Sequence, residues 1–411
     1  MNTEPQVNTE SIDHTPIAKR SDLALPNGFT HRQISAATTP THQKLTLFPT
    51  EKCNFRCTYC YEDFQIGRMS EQLQRSVELL VERRISSLKE LQFSWFGGEP
   101  LLAKDVVLRL MRHAKRTCDD HGVRFLSGMT TNAYLLDFSL AEELLSYNQD
   151  FYQITLDGVG DEHDKLRRRA DGAGTFDRIW GNLKAMKQLA GKFDCLIRIH
   201  VRRDNIENLE LLMAEIQQEF GRDRRFRMDF QHLRNMGGEG GRTVVAQLTL
   251  TEMEGVKRHL LDLYRKADPN FVATPPPTIT AAVIPPQGGA VTRQAPASLP
   301  ESAGSRRLSE ISNTEPYMCY AAKPNNLLIR ANGRIGKCTV ALDDTRNDLG
   351  YLAADGSIVI DQDKHKLWFR GLETLDLGTA GCPLHGMPKY EGKGPTPEIP
   401  IKWIAKASTN V

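Results

Sequence analysis

The sequence predicts an α/β fold built from six consecutive strand–helix units. Short apolar strand candidates recur along residues 44–241, and helical stretches with apolar residues at i, i+3 and i+4 lie between them. Six such units in a row imply parallel strands joined by crossover helices. The residues alone leave two architectures open, an open doubly wound sheet and a barrel. In either architecture, ligands gather where the parallel strands end.

The strand candidates are short and rich in apolar residues, and they lie at 45–49, 91–96, 123–131, 151–156, 195–201 and 226–231. The helical stretches between them lie at about 70–88, 104–120, 139–147, 175–191 and 205–219. The glycine-rich dinucleotide fingerprint of an open nucleotide-binding sheet is absent after the first strand candidate. A further helix is expected over 249–267, with Thr251 as its N-cap.

We expect two folded parts with polar tails, because 411 residues are too many for one ordinary core. The N-terminal stretch is rich in Asn, Thr, Gln, Ser and Pro and shows no periodicity, which is typical of disorder. The expected segments are a flexible arm (1–42), the strand–helix core (43–241), a helix with a Pro-rich linker or loop (242–314), a small β-rich module (315–390) and a tail (391–411).

Composition and charge restrict the function classes. The chain is 40% hydrophobic and 25% charged with a net charge of +2, so no broad basic field attracts nucleic acid or an acidic membrane. No apolar run approaches the roughly 20 residues of a membrane helix, and the N-terminal stretch carries no secretion signal. Three of the 8 cysteines crowd into one loop, unlike a disulfide framework. We therefore expect a cytoplasmic protein without nucleic-acid or membrane partners.

Three cysteines with C-x3-C-x2-C spacing follow the first strand candidate, at Cys53, Cys57 and Cys60. Because thiolates are soft ligands, each of the three can bind its own iron in a cubane iron–sulfur cluster. Such a cluster takes four ligands, so one iron would stay open to a ligand that is not protein. A zinc knuckle is the competing interpretation, but it needs a second pair of Cys or His nearby. No such pair follows within the next 40 residues.

This loop resembles the signature of the radical S-adenosylmethionine (SAM) enzymes, with the aromatic Tyr59 before the third cysteine. The Tyr61-Glu62 pair that follows resembles the residues found at this place in the branch of the family that modifies peptides and proteins. The resemblance implies one [4Fe–4S] cluster on the three cysteines, whose open iron chelates SAM. Reduction then cleaves SAM to a 5′-deoxyadenosyl radical, so the cofactor supplies the difficult chemistry. It also implies a partial (β/α)6 TIM-like barrel.

Two further motifs follow the predicted strands in the order known from this family. The turn that begins with Gly97, Gly98 and Glu99 resembles the GGEP element, whose backbone and Glu contact the SAM amino group. Glycines let a backbone approach a ligand closely, although an ordinary strand–helix turn would look the same. Asn132 ends the third strand candidate and resembles the Thr-Asn turn beside the SAM pocket.

The fourth strand candidate ends with Thr155 and Asp157, which resemble the Ser-Ile-Asp-Gly element near the SAM carboxylate and ribose. An H-D-x-x-R element then runs from His163 to Arg167. The resemblance implies that Arg167 pairs with the SAM carboxylate, a contact suited to a planar fork of donors. A solvated basic turn is the other interpretation, and the two arginines that follow Arg167 are assigned no role.

Four other candidates are interpreted as structural. Cys118 lies in a predicted helix and Cys195 begins a strand candidate, so both are expected to be buried thiols. His200 and His232 lie in strand candidates. Either histidine could face the barrel interior and contact substrate, but both are interpreted as satisfied core residues.

The C-terminal stretch contains a second set of cysteines, Cys319, Cys338 and Cys382, among hairpin signals such as Asn332-Gly333. A second hairpin is expected over 350–360. The stretch resembles the auxiliary-cluster domains, SPASM or its shorter twitch form, of radical SAM peptide maturases. The resemblance implies one auxiliary iron–sulfur cluster with an incomplete ligand set, completed by His385, by a substrate group or by nothing. Three unrelated cysteines are the competing interpretation.

The resemblance favours a maturase that crosslinks a ribosomal precursor peptide, because the cysteine loop, the Cys338 hairpin and one sparse auxiliary module look most like the maturases that form a C–C cyclophane between an aromatic ring and a nearby Cβ. A thioether-forming maturase stays open. Formylglycine formation is disfavoured, because in the sulfatase-maturing enzymes of this family an Asp that acts as general base stands where this chain has Thr339. A zinc-stabilised binding module is the non-enzyme alternative. The expected partners are the peptide, an electron donor such as flavodoxin or ferredoxin, and a separate leader-recognition protein. Position alone identifies no catalytic residue.

Overall fold

The computed structural model describes Leu25, Val244 and the ranges 28–233, 235–236, 238–241, 248–268, 316–389 and 396–397. Most of the expected arm, of the Pro-rich linker and of the C-terminal tail therefore lies outside the described residues. Within the described ranges, no helix is both long enough and apolar enough to cross a membrane.

Strands alternate with helices through the first two thirds of the chain, as the periodicity predicts. The strands are β1 (His42–Leu47), β2 (Glu90–Trp95), β3 (Arg124–Thr131), β4 (Gln149–Leu156), β5 (Asp194–Val201) and β6 (Phe226–His232). The helices are α1 (His31–Thr38), α2 (Glu71–Arg84), α3 (Lys104–Asp120), α4 (Phe138–Ser146), the single turn α5 (Asp161–Asp164), α6 (Phe176–Met186), α7 (Ile206–Phe220), the short α8 (Gly238–Gly241) and α9 (Leu250–Lys266).

Strands β1 to β6 pair as parallel neighbours in the order in which they occur in the chain. A doubly wound sheet needs a reversal of strand order, because only a reversal sends right-handed crossovers to the second face. No reversal occurs between β1 and β6, so the helices cover one face and the sheet curls around the other. The predicted partial (β/α)6 barrel is confirmed.

Alternation along the strands gives the barrel a polar inner face. Ile154 and Ile197 belong to the hydrophobic core that the helices share. Their neighbours point to the opposite side, because successive side chains of a strand alternate. The register sets Thr155 beside Arg198, and Arg198 beside Asp229. The inner face of β4, β5 and β6 therefore presents hydroxyl, guanidinium and carboxylate groups.

Two expectations about helices were wrong. Residues 28–41 do not form a loose arm, because Thr30 and Gln33 close a capping box on α1. This short helix packs Ile34 into a small apolar cluster with Phe369, far away in the chain. Helix α9 is capped by Thr249, and the expected cap at Thr251 lies inside its first turn. Short helices depend on tertiary packing, which composition does not reveal.

The C-terminal module continues the sheet of the barrel. It contains β7 (Asn326–Ile329), β8 (Arg334–Gly336), β9 (Gly350–Leu352), β10 (Ile358–Ile360), α10 (Gln362–Glu373), α11 (Leu377–Gly381) and β11 (Thr396–Pro397). Strand β7 pairs in parallel with β1, and β8, β9 and β10 follow as antiparallel neighbours, so both expected hairpins are present. The barrel and the β-rich module thus share one sheet of 11 strands.

Candidate functional site

The three-cysteine loop follows β1 and lies at the C-terminal ends of the parallel strands. Cys53, Cys57 and Cys60 are all half-buried. Burial raises the pKa of the Cys60 thiol to about 12, and the nearby Cys57 adds to that rise. Burial, Glu99 and the other two thiols raise the pKa of Cys53 as well. Thiols that perturb each other in this way converge on one space, although each must lose its proton to become a ligand.

Among the residues that the structure describes, no group of three or more His, Cys, Asp or Glu side chains is placed to hold a single metal ion. A cluster with one sulfur on each iron spreads its ligands more widely than a single ion does. Three free, half-buried thiols in one loop are compatible with ligation of such a cluster.

A backbone ladder holds the cysteine loop in place. The amide of Arg56 donates to the carbonyl of Arg168 at 2.9 Å, and the amide of Thr58 donates to the carbonyl of Leu166 at 2.9 Å. The amide of Ala170 donates back to Asn54 at 2.8 Å. The segment after α5 is thus positioned against the loop by its backbone, which gives Arg168 a structural contact although its side chain is exposed.

The two glycines of the Gly97-Gly98-Glu99 turn pack against the backbone that leads into the cysteine loop. Gly97 has φ +105°, and a Cβ there would clash with the carbonyl of Thr50. A Cβ on Gly98 would clash with the carbonyl of Lys52, which also accepts the Glu99 amide at 3.0 Å. These close contacts fix the turn against the cysteine loop, and the contact of the two glycine backbones with SAM stays a prediction.

The carboxylate of Glu99 is fully buried and is held by the ends of two strands. One oxygen accepts bonds from the Leu101 amide at 3.0 Å and the Thr131 hydroxyl at 2.7 Å, and the other accepts the Asn132 amide at 2.7 Å. Asn132 in turn donates to Asn54 Oδ1 at 2.8 Å. Two predicted SAM contacts, Glu99 and Asn132, therefore lie together beside the cysteine loop.

Four side chains form a hydrogen-bonded cluster at the ends of β4 and β5, here called the Tyr59 network. The Tyr59 hydroxyl donates to Asp157 Oδ2 at 2.6 Å and accepts from Arg167 Nη1 at 2.8 Å. Nδ1 of His200 lies 3.0 Å from Asp157 Oδ1 and 3.2 Å from the Tyr59 oxygen. Asp157 is fully buried and Arg167 is 9% exposed, so Arg167 is not part of a solvated turn.

The charges in the Tyr59 network determine which group donates and which accepts in each hydrogen bond. Burial alone would raise the pKa of Asp157, but His200 and Arg167 hold that pKa below its usual range. Burial keeps the pKa of Tyr59 well above its ordinary value, so the phenol retains its proton. Asp157 is therefore a carboxylate that only accepts bonds, and the tautomer of His200 with its proton on Nδ1 suits the 3.0 Å approach of the two groups.

Sequence reasoning missed two residues of this site. His200 was interpreted as a core histidine, and the structure corrects this by setting it against Tyr59 and Asp157. Asn205 was not singled out, yet its Nδ2 donates to the carbonyls of Asp157 and His200, at 3.0 Å each. It precedes α7 without capping that helix through its side chain. The only signal in the sequence is the position of Asn205 just before a helix, which predicts an N-cap and not a contact with this site.

The remaining structural interpretations of the core cysteines hold. Cys118 and Cys195 are fully buried. His232 is half-buried at the end of β6.

The second set of cysteines also shares one neighbourhood. Burial raises the pKa of Cys319 to about 11, and Cys338 and Cys382 contribute to that rise. Asn347 Oδ1 accepts the Cys338 amide at 2.9 Å and so fixes the hairpin loop. Cys382 is exposed, and its carbonyl accepts the amide of His385 at 2.9 Å.

Two contacts join the cysteine loop to the C-terminal module, and they are here called the module junction. The Tyr61 hydroxyl donates to the carbonyl of Thr339 at 3.1 Å, and Tyr320 accepts the Thr339 amide at 2.8 Å. Glu51 and Arg330 form a buried, two-pronged ion pair at 2.6 and 3.1 Å. Tyr61 and Glu51 each lie within two residues of a cysteine of the loop, so their two contacts position the module and the loop together.

The partial barrel thus brings three thiols and a buried polar network together at its strand ends. Residues 47–216 match the family described as the Radical SAM superfamily. The chain therefore contains a radical SAM domain, and proteins of this family bind SAM and a [4Fe–4S] cluster.

Curated proteins are similar to part of this chain. A GTP 3′,8-cyclase from Picosynechococcus sp. is 38% identical over 32% of this chain and 36% of its own length. A cysteine-type anaerobic sulfatase-maturating enzyme from Clostridium novyi is 26% identical over 36% of this chain and 41% of its own. A PqqA peptide cyclase from Granulibacter bethesdensis is 25% identical over 41% of this chain and 42% of its own. The chain thus spans less than half the length of these relatives.

Solved structures show the same fold over a larger part of the chain. A structure described as native anSMEcpe with bound AdoMet has a TM-score of 0.52 at 16% identity, covering 75% of this chain and 77% of its own. Streptococcus suis SuiB bound to precursor peptide SuiA has a TM-score of 0.50 at 16% identity, covering 85% of this chain and 71% of its own. Both likenesses cover more of the chain than the barrel alone.

Proposed function

We propose that this protein is a radical SAM enzyme that crosslinks a ribosomally made precursor peptide. The observation that carries the proposal is the convergence of three thiols, the Glu99–Asn132 pair and the Tyr59 network on one end of the barrel. A C–C bond between an aromatic ring and a nearby Cβ is the preferred product, and a thioether is the alternative. Similarity to a PqqA peptide cyclase supports a peptide substrate.

Cys53, Cys57 and Cys60 would hold the [4Fe–4S] cluster and leave one iron for SAM. When bound, the cluster and SAM supply an electron and a radical that removes hydrogen from an unactivated carbon of the peptide. The protein contributes binding and orientation, because its groups at the strand ends are buried and already fixed by hydrogen bonds.

Several side chains have capacity left for SAM. Nε of Arg167 is buried and has no partner among the described residues, so its fork of donors fits the SAM carboxylate. Glu99 Oε2 accepts only the Asn132 amide in the described contacts, which leaves a lone pair for the SAM amino group. We assign the ribose to Thr155 and Asp157, the adenine side to Tyr59, and backbone contacts to Gly97 and Gly98.

We further propose that Cys319, Cys338 and Cys382 hold one auxiliary iron–sulfur cluster, with His385 or a substrate group as the fourth ligand. Such a cluster would accept the electron that the peptide radical loses when the crosslink closes. The proposal draws support from the shared neighbourhood of the three thiols and from the module junction, which ties this region to the cysteine loop.

Formylglycine formation is a weaker candidate. Thr339 offers a hydroxyl that bonds to Tyr320 at 2.8 Å, not a carboxylate base. Asp344 is committed to an ion pair with Arg346 at 2.6 Å. We propose a flavodoxin or ferredoxin as the electron donor, a separate protein for leader recognition, and action in the cytoplasm.

The test is co-expression of the full chain with the short reading frame next to its gene, followed by mass spectrometry of the peptide. Loss of two hydrogens that depends on Cys53, Cys57 and Cys60 is expected, together with 5′-deoxyadenosine from SAM and dithionite under anaerobic conditions. Cys118→Ala is the matched control, because Cys118 is a buried thiol outside the site. A colourless protein that contains zinc and forms no 5′-deoxyadenosine would contradict the proposal.

A further inference from the structure

We propose that His200 is a positioning residue for SAM. Its Nδ1–H holds the Asp157 carboxylate and the Tyr59 hydroxyl so that the Arg167 guanidinium stays available for the SAM carboxylate. This inference rests on the proposed function, but it concerns a residue that neither the cysteine signature nor the SAM motifs include.

The first step is the fixed geometry of Asp157. Its backbone amide donates to His163 Nδ1 at 3.2 Å, and its carbonyl accepts the Asn205 amide group at 3.0 Å. One carboxylate oxygen accepts from Tyr59 at 2.6 Å, and the other lies 3.0 Å from His200 Nδ1. Each polar group of Asp157 thus has one assigned neighbour.

The second step is the fixed position of His200. Asn205 Nδ2 also donates to the His200 carbonyl at 3.0 Å, so one amide group locks the ends of β4 and β5 together. The His200 ring meets the Tyr59 ring edge-on, with centroids 5.3 Å apart and an interplanar angle of 87°. The imidazole therefore cannot turn away from Asp157 without losing both contacts.

The third step is competition for Arg167. Asp157 Oδ1 is buried and forms no hydrogen bond of good geometry with the described residues, so its close contact is the approach of His200 Nδ1 to 3.0 Å. A buried carboxylate oxygen that loses such a neighbour draws in another cation or donor, because leaving it unsatisfied is costly. The nearest cation in the network is Arg167, which already bonds to Tyr59. Without His200, Asp157 would draw the guanidinium toward itself and away from the SAM carboxylate.

The consequence is specific to SAM binding. Losing a charge-assisted hydrogen bond at this position is expected to raise the Kd for SAM about tenfold or more. The rate of SAM cleavage at saturating SAM should change much less, because the backbone ladder that holds the cysteine loop makes no bond to His200. The expected signature is a KM effect with kcat nearly preserved.

The experiment compares two substitutions in the anaerobically reconstituted full chain. His200→Phe keeps the ring edge against Tyr59 and removes the donor, whereas His200→Asn restores an N–H near the position of Nδ1. SAM binding is measured by titrating SAM against the electron paramagnetic resonance signal of the reduced cluster. 5′-Deoxyadenosine formation gives KM and kcat. His259→Phe is the matched control, since its Nε2 lies 2.6 Å from Glu210 at an exposed site.

Weak SAM binding in H200F, recovery in H200N to within a few-fold of the wild type, and no change in H259F would support the inference. Equal SAM affinity in H200F and the wild type would overturn it. If H200F does not fold, His200→Gln takes its place, because its amide lies one bond further out. Equal affinity in H200N and H200Q then overturns the inference. A wild-type protein that shows no SAM response fails the proposed function itself, which separates the two failures.

Discussion

The buried ion pair of the module junction allows one prediction to be worked out in magnitude. The side chains of Glu51 and Arg330 are 2% and 14% exposed, and both Glu51 oxygens bond to the guanidinium at 2.6 and 3.1 Å. Arg330 also donates to the carbonyl of Leu342 at 3.0 Å. Substituting Arg330→Met leaves a buried carboxylate whose remaining neighbour is the Ala331 amide at 3.4 Å.

Removing one partner of a buried pair lowers the free energy of unfolding by about 3–5 kcal/mol. The partial exposure of Arg330 favours the lower end, about 3 kcal/mol, which is about a hundredfold in the folding equilibrium constant. Urea unfolding followed by tryptophan fluorescence measures this loss. Trp95 in the barrel and Trp368 in the module are 0% and 1% exposed, so the signal reports on both parts.

Arg68→Met is the matched control, because Arg68 and Asp105 form a similar two-pronged pair with side chains 49% and 63% exposed. An exposed pair contributes at most about 1 kcal/mol. The double variant Glu51→Gln with Arg330→Met should regain part of the loss, since it no longer buries an unpaired charge. Equal losses in Arg330→Met and Arg68→Met would refute the reasoning.

Three further predictions concern the site. Gly98→Ala should reduce the iron bound after reconstitution several-fold, because a Cβ there meets the Lys52 backbone. The control variant Gly255→Ala should bind iron normally, because the space around Gly255 is open. Equal iron contents in the two variants would contradict this prediction. Burial lowers the pKa of His163 to about 4 from its ordinary 6.5, so the unfolded chain binds the extra proton and stability should fall by about 3 kcal/mol as the pH drops from 6.5 to 4. Unfolding measured across that range should show a flatter profile for His163→Gln, and an unchanged slope would count against the assignment. Asn205→Ala should lower the free energy of unfolding by about 1–3 kcal/mol, because two buried carbonyls lose their donor; calorimetry showing no loss would argue that water replaces the amide.

The strand–helix order and the cysteine loop could be predicted from the sequence because both are local patterns. Thr155, Asp157 and Glu99 could be placed near one another because each ends a strand, and parallel strands end on the same edge. Arg167 required the family resemblance, since a run of three arginines also fits a solvated turn.

The role of His200 could not be predicted, because it depends on the register between β4 and β5. That register pairs Thr155 with Arg198, and so brings residue 200 next to residue 157. Side-chain alternation gives the face of each residue but not the partner across the sheet. Helix α1 was missed for a related reason, since the contact of Ile34 with Phe369 joins distant parts of the chain.

The pairing of β7 with β1 has a practical consequence for shortened versions of this protein. Strand β1 carries β2 on one edge and β7 on the other, through the pairs from Lys44–Asn326 to Leu47–Ile329. Deleting the chain from residue 316 onward would remove β7 and leave a row of β1 amide and carbonyl groups without partners, next to the start of the cysteine loop. Such a bare edge is a template for intermolecular association. A minimal catalytic fragment would therefore need a substitute strand along this seam.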